Sequence, residues 1–208
     1  MAQELWPEWV RALRAISQTG LHFSRDPFDT ERYQQVREVA SQMLQCHSNL
    51  SREQIVTLDA SDLGYATPKV DVRGAIIREG GILMVREIAD QGRWTLPGGW
   101  ADPNETPSEA VVREVYEESG YRTRAIKLVG VYDRAKQGLV PPYPFHIYKH
   151  FFLCEIVGGS PRKSVETSEI GFFPEDGLPE LSVARISASL IRRCFAHQRQ
   201  GELPTDFD

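Results

Sequence analysis

The hydrophobic period of this 208-residue chain changes once, at Gly64-Tyr65-Ala66-Thr67-Pro68. Before that point apolar side chains recur at helical spacing; after it, β-branched runs and tight turns take over. Trp6, Trp9, Val10, Leu13 and Ile16 mark a first helix, with Gly20 as its expected stop. A second opens at Asp29 and carries Tyr33, Val36, Val39, Ala40, Met43 and Leu44 as its apolar stripe. Ser51-Arg52-Glu53-Gln54 has the form of a capping box and opens a third. The chain is therefore expected to hold a helical N-terminal domain over residues 1–66 and a second domain over residues 67–208.

In the second domain, Val70 to Ile77 and Ile82 to Val85 are expected to pair through a tight turn at Glu79-Gly80-Gly81. A helix follows from Pro107 to Ser119, then strands over Ala125 to Tyr132 and Phe145 to Ile156, with the Pro-rich Val140-Pro141-Pro142-Tyr143-Pro144 between them. Ile170 to Phe173 adds a short strand, and Leu181 to His197 a closing helix. Several strands with few helices predict an α+β sandwich rather than a doubly wound sheet.

Composition narrows the function. A net charge of -5 is a poor prior for non-specific binding to nucleic acid or anionic membranes. Residues 1–66 hold six arginines, no lysines and nine acids, so a DNA-binding helical module is disfavoured. Their aromatic stripe fits better as a homodimer contact or a wall of the active site. Cys46, Cys154 and Cys194 are odd in number and widely spaced, the pattern of reduced thiols in a cytoplasmic protein rather than of a zinc site. The first ten residues lack the basic segment and apolar core of a signal peptide, and no apolar run reaches membrane-spanning length.

The chemistry is concentrated between Leu96 and Tyr121. Thr106-Pro107-Ser108-Glu109 starts a helix with an N-cap, a first-turn proline and a glutamate at the third position, and Gly120 closes it. At about 100° per residue, Glu114, Glu117 and Glu118 share an arc of roughly 100°. Ala110 leaves room within that arc, while Val111, Val112, Val115 and Tyr116 form a separate apolar face. The Glu114/Glu118 repulsion disfavours the isolated helix by about 0.2–0.5 kcal/mol, and the helix dipole adds to the penalty near its C-terminus. A divalent ion reverses both. Oxygen-only donors point to Mg²⁺ or Mn²⁺. The competing reading is a solvated face with Arg113 paired to Glu117. The glycine loop and Glu105 favour the ion, because glycine lets backbone approach a metal or phosphate.

Gly99, five residues, Glu105, seven residues, then Arg113-Glu114-Val115-Tyr116-Glu117-Glu118-Ser119-Gly120-Tyr121 resembles a complete Nudix box. Tyr121 departs softly from it, an aliphatic residue being commoner there. The resemblance implies a mixed-sheet α/β/α sandwich. It implies that Glu114, Glu117 and Glu118 bind metal, that the Gly98 carbonyl completes the coordination, and that Arg113 and Glu105 form a structural ion pair. Gly64 to Gly74, the helical segment and the ending Leu203 to Asp208 resemble one Nudix subgroup, hydrolases of nucleoside diphosphates linked to a further group. CDP-choline, cleaved to CMP and phosphocholine, is the first expected substrate and ADP-ribose the second. RNA processing ranks third. A regulator that binds nucleotide without turnover is the alternative, although it is expected to have a broken box.

Further candidates carry two readings each. Glu166 and Glu169 supply a base or metal ligand, or are solvated loop acids. Arg73 and Arg86 reach a phosphate, or lie at the surface. Asp133 and Arg134, with Lys136 nearby, hold the far group of the substrate, or form a polar turn. His146 shares a strand face with Tyr148 and His150 and lines a pocket, or packs. Trp100, Tyr132 and Tyr143 stack on a base, or pack. Trp94 anchors the strand that enters the glycine loop.

Overall fold

The computed structural model describes residues 5–208; the first four residues of the expected helical domain lie outside them. The chain divides into two compact units, Met1–Pro68 with Pro142–His146, and Lys69–Pro141 with Ile147–Asp208.

The first unit holds three helices, α1 (Trp6–Phe23), α2 (Pro27–His47) and α3 (Arg52–Ser61). Gly20 does not stop α1; it lies inside the helix, where a Cβ would collide with the ring of Tyr33 on α2. Its role is close helix approach rather than termination. The second helix begins two residues before Asp29, because Asp26 caps it by accepting hydrogen bonds from the Phe28 and Asp29 amides. Both halves of the Ser51/Gln54 capping box form. Val10, Leu44 and Ile55 make a small core, with Trp6 packed against it and stacked on His47 at 5.2 Å. Arg14 braces this core through a 2.5 Å pair with Asp59.

The second unit is built from β1 (Lys69–Ala75), β2 (Ile77–Arg78), β3 (Gly81–Glu87), β4 (Trp94–Thr95), α4 (Pro107–Ser119), β5 (Tyr121–Asp133), β6 (Ile147–Gly159), β7 (Thr167–Pro174), α5 (Ala188–Arg199) and β8 (Asp206–Phe207). One sheet has the order β1-β6-β5-β8, with β1 parallel to β6, β6 antiparallel to β5, and β5 parallel to β8. In the other, β3 pairs antiparallel with β2, β4 and β7. Alternate side chains of both sheets feed two cores, one with α4 and one with α5, so the sheets lie between two helices. The expected α/β/α sandwich with mixed sheet is observed.

The run from Val70 to Ile77 is not one strand paired to Ile82–Val85. It breaks at Ile76: β1 joins β6, and only Ile77 and Arg78 pair with β3. Glu79 and Gly80 both have positive φ, 52° and 80°, the geometry of a two-residue type I′ turn. The short strands β4 and β8 carry no periodic signal in the sequence. Strand β8 is drawn to β5 by its neighbours: Lys127 donates to the Gly201 and Leu203 carbonyls at 2.8 and 2.7 Å, and Thr205 to the Leu128 carbonyl at 3.0 Å. All three cysteines are free; Cys154 and Cys194 are buried and Cys46 is exposed. Among the described residues, no helix is long and apolar enough to cross a membrane.

Candidate active site

Helix α4 forms where its caps place it. Thr106 accepts from the Glu109 amide, Glu109 accepts from the Thr106 amide at 2.9 Å, and Gly120 closes the helix with φ of 77°. Its apolar face buries Ala110, Val111 and Val115 against Val72, Leu83 and Phe152. Contact with β1 is direct: a Cβ on Gly74 would lie 2.5 Å from Val115. This fixes which face of the helix turns toward the glycine loop.

That loop runs alongside β1. The Gly74 amide donates to the Pro97 carbonyl and the Val72 amide to the Gly99 carbonyl, both at 2.8 Å; the Ala101 amide donates to the Val70 carbonyl at 3.0 Å. Gly98 has φ of 143°, and a Cβ there would fall on the Val72 carbonyl oxygen, so the position admits only glycine. Its amide donates to the Glu118 carboxylate at 2.9 Å. A Cβ on Gly99 would lie 2.9 Å from the Glu114 carboxylate. Backbone thus presses directly onto two of the three helix acids.

Burial dominates their electrostatics. Glu118 is only 5% exposed. Burial pushes its carboxyl up to about 8, against the pull of Arg73 and the Gly98 amide, and Glu87 and Glu114 add repulsion. Burial also raises Glu114, while Arg113 opposes it. Glu117 stays exposed. Arg113 organises this face. It grips Glu105 through two parallel bonds of 2.7 and 2.9 Å, bridges Glu114 and Glu117 with Nη1 at 2.8 and 3.2 Å, and donates to the Trp100 carbonyl at 3.2 Å. Hydrogen bonding to Glu105 leads the upward shift of the guanidinium, and that same bonding lowers Glu105. The structural pair and the pairing to Glu117 therefore coexist on one guanidinium.

Three oxygen-donor side chains, two of them withdrawn from water, fit a hard divalent cation, which offsets the cost of burying their charge. Among the described residues, no three acidic, histidine or cysteine side chains already form a closed cage. Arg113 lies between two of the acids instead.

Beneath the loop lies a charge network that sequence reading missed. Arg73 is buried rather than at the surface. It grips Asp71 at 3.0 and 2.7 Å and donates to the Leu96 carbonyl at 3.1 Å, at the entry to the glycine loop. Lys149, 2% exposed, donates to Asp71 from β6 at 2.5 Å. Burial acts to raise Asp71, but Arg73 and Lys149 outweigh it and hold the carboxyl at about 2. Burial lowers Lys149 to about 7, with Asp71 opposing. The available signal was Asp71 and Arg73 at i and i+2 on one face of a strand whose intervening positions are Val70, Val72 and Gly74.

The remaining candidates separate. Arg86 and Glu169 face each other across β3 and β7 in a 2.6 Å pair, and Arg86 also donates to the Gly92 carbonyl at 2.7 Å. Glu169 lies in β7 itself, whereas Glu166 stays in the preceding loop. Arg134 is buried and donates to the Pro141 and Ala184 carbonyls, each at 3.0 Å. Asp133 caps the 3₁₀ turn Arg134–Gln137. His146 precedes β6 rather than lying in it and groups with the helical unit. Tyr143 groups there too and approaches Phe145, while Tyr132 is in the core. Trp100 is half-exposed and bridges Asp71 through its backbone. Trp94 packs edge-on against Phe173 at 4.7 Å beside the loop, as expected of an anchor.

A family model described as a UDP-X-like, N-terminal oligomerisation domain matches residues 4–58, and a model of the NUDIX domain matches residues 67–194. YjhB of Bacillus subtilis (strain 168), to which its name provisionally attributes ADP-ribose pyrophosphatase activity, is 42% identical over 99% of this chain and 98% of its own length. A UDP-X diphosphatase structure covers 98% of both chains at 32% identity and a TM-score of 0.62. An ADP-ribose pyrophosphatase structure from Streptococcus suis 89-1591 covers 68% of this chain and all of its own, at 37% identity and a TM-score of 0.62. With a complete box on a capped helix and an N-terminal module matched in its own right, this chain belongs to the Nudix hydrolases.

Proposed function

We propose that this enzyme hydrolyses the diphosphate of a nucleoside diphosphate linked to a second group, with Mg²⁺ or Mn²⁺ bound to Glu114, Glu117, Glu118 and the Gly98 carbonyl. The observation that carries this reading is the buried Glu118 carboxylate held at 2.9 Å by the Gly98 amide, with Glu114 beneath Gly99. Those contacts preset two acids for a cation. When bound, the ion would neutralise phosphate charge and lower the pKa of water. Arg113 and Glu105 fix the helix to the loop, so that the acids and the Gly98 carbonyl share one rigid frame. In the reaction, water adds to one phosphorus, the bond from that phosphorus to the bridging oxygen breaks, and two phosphomonoesters leave.

ADP-ribose is placed ahead of CDP-choline, reversing the order expected from sequence, because YjhB and the Streptococcus suis enzyme bear ADP-ribose names. Its products are AMP and ribose 5-phosphate. A UDP-linked compound is the second reading, favoured by the full-length likeness to the UDP-X diphosphatase. The free thiols accord with a reducing, cytoplasmic compartment. The deciding experiment is a panel of ADP-ribose, UDP-sugars, CDP-choline and short RNA, assayed with Mg²⁺ and Mn²⁺ and products identified by mass. A monophosphate pair from ADP-ribose at the highest kcat/KM supports the proposal. Turnover of RNA alone, or undiminished turnover in chelator, overturns it.

A further inference from the structure

The family description says that the N-terminal module oligomerises, but not through which face or with what symmetry. On α1, Trp9, Ile16 and Phe23 are 55%, 54% and 61% exposed. Seven-residue intervals keep all three within an arc of about 40°. The buried face of the helix, with Val10 and Ser17, points elsewhere. A stripe of two aromatics and an isoleucine left in water along four turns is a surface made for contact.

We infer that a second copy of this chain covers the stripe, with α1 packed antiparallel against its own image about a two-fold axis at Ile16. The spacing itself carries the argument. Ile16 lies midway between Trp9 and Phe23, about 10 Å from each along the helix. An antiparallel image therefore sets Ile16 on Ile16 and Trp9 on the partner's Phe23, twice, as a two-fold interface requires. The shapes match as well as the order. Beside Phe23 the unit has an open groove of about 880 Å³, bordered by Thr19, Gly20, Phe23, Arg25 and Tyr65. The groove takes the indole that projects from the other end of the same helix.

Charge selects the same direction. Under this pairing Glu8, next to Trp9, comes opposite Arg25 at the groove rim; the two acids that also border the groove are already engaged, Asp26 by the Phe28 and Asp29 amides and Asp29 by Arg32. A parallel arrangement sets Glu8 against Glu8 instead. Antiparallel helices also oppose their dipoles favourably. Trp9, Ile16, Phe23 and Tyr65 provide several hundred Å² of exposed side chain per copy. With the polar residues around them they approach the roughly 800 Å² per partner of a stable interface.

The test uses the full-length chain with Cys46→Ser, since that thiol is exposed. Ile16→Cys should oxidise to a disulfide-linked dimer, whereas Val56→Cys, an equally exposed apolar position on α3, should not. Trp9→Glu should weaken dimerisation about 30-fold at each of two equivalent sites, towards a thousandfold overall, by sedimentation with circular dichroism unchanged. Glu8→Arg and Arg25→Glu should each weaken association several-fold, and together restore it. A wild-type monomer at tens of micromolar overturns the inference, as does a dimer that survives Trp9→Glu. So does crosslinking of the Val56→Cys variant without crosslinking of the Ile16→Cys variant. If Trp9→Glu unfolds, the two cysteine variants decide alone.

Discussion

Asp71 and Glu118 are buried carboxylates held in opposite ways. Asp71 faces two cations and stays ionised, whereas Glu118 has one amide donor and a distant arginine and is raised to about 8. On the metal role proposed for Glu118, Glu118→Gln should cut turnover at least about a hundredfold with folding intact. Near-normal rates at saturating metal would sink the assignment. The Asp71 network makes an asymmetric prediction. Asp71→Asn leaves Arg73 and Lys149 buried without the carboxylate that both hydrogen-bond and should cost about 3–5 kcal/mol in urea unfolding. Lys149→Met leaves the Asp71–Arg73 pair balanced and should be near neutral. Lys149 also predicts a pH trend. Its folded value is about 7 and its ordinary value 10.5, so the unfolded chain binds more protons between them. Lys149 therefore adds a rise of stability with pH across that window, opposed above about pH 9 by the buried thiols of Cys154 and Cys194, so the wild-type slope should be more positive than that of Lys149→Met. Equal slopes in the two proteins would refute the assignment.

Helix α4 and the glycine loop work as one element because Arg113 and Gly98 join them. Arg113→Ala removes the bonds to Glu105 and the Trp100 carbonyl, so both the melting temperature and activity should fall. Lost activity with an unchanged melt would make Arg113 a substrate ligand and not a brace. Gly98→Ala forces a side chain into a left-handed conformation against the Val72 carbonyl. Backbone strain alone costs about 1–3 kcal/mol. Because the loop must shift, Mn²⁺ affinity measured by calorimetry should fall as well; unchanged affinity would detach the loop from the metal site. Both caps of α4 and its acidic arc were legible in the sequence, since they depend on neighbours three and four residues apart. The Arg86–Glu169 pair was not, because it depends on the register of β3 against β7, two strands far apart in the chain.

On the scale of the whole molecule, removing residues 1–66 should abolish self-association and leave the metal affinity of the box intact, by light scattering and metal titration. A truncated protein that stays dimeric would show the helical module to be an appendage. The truncation also strips the helical partner of Pro142–His146, including the Arg11 bond to the Tyr143 carbonyl. The chain's own sequence determined the features that rest on local spacing: three N-terminal helices, the change of period near Pro68, the capped helix, and an acid arc beside an apolar one. Short-range sterics and hydrogen bonding write these directly into residue order. Only the tertiary structure decided which strands are neighbours, that β1 and β2 part into different sheets, and that Gly20 admits Tyr33 rather than ending a helix. It alone buried Arg73 with Asp71 and Lys149. Those outcomes depend on long-range pairing and on which groups lose their water together, and both are set only when distant segments meet.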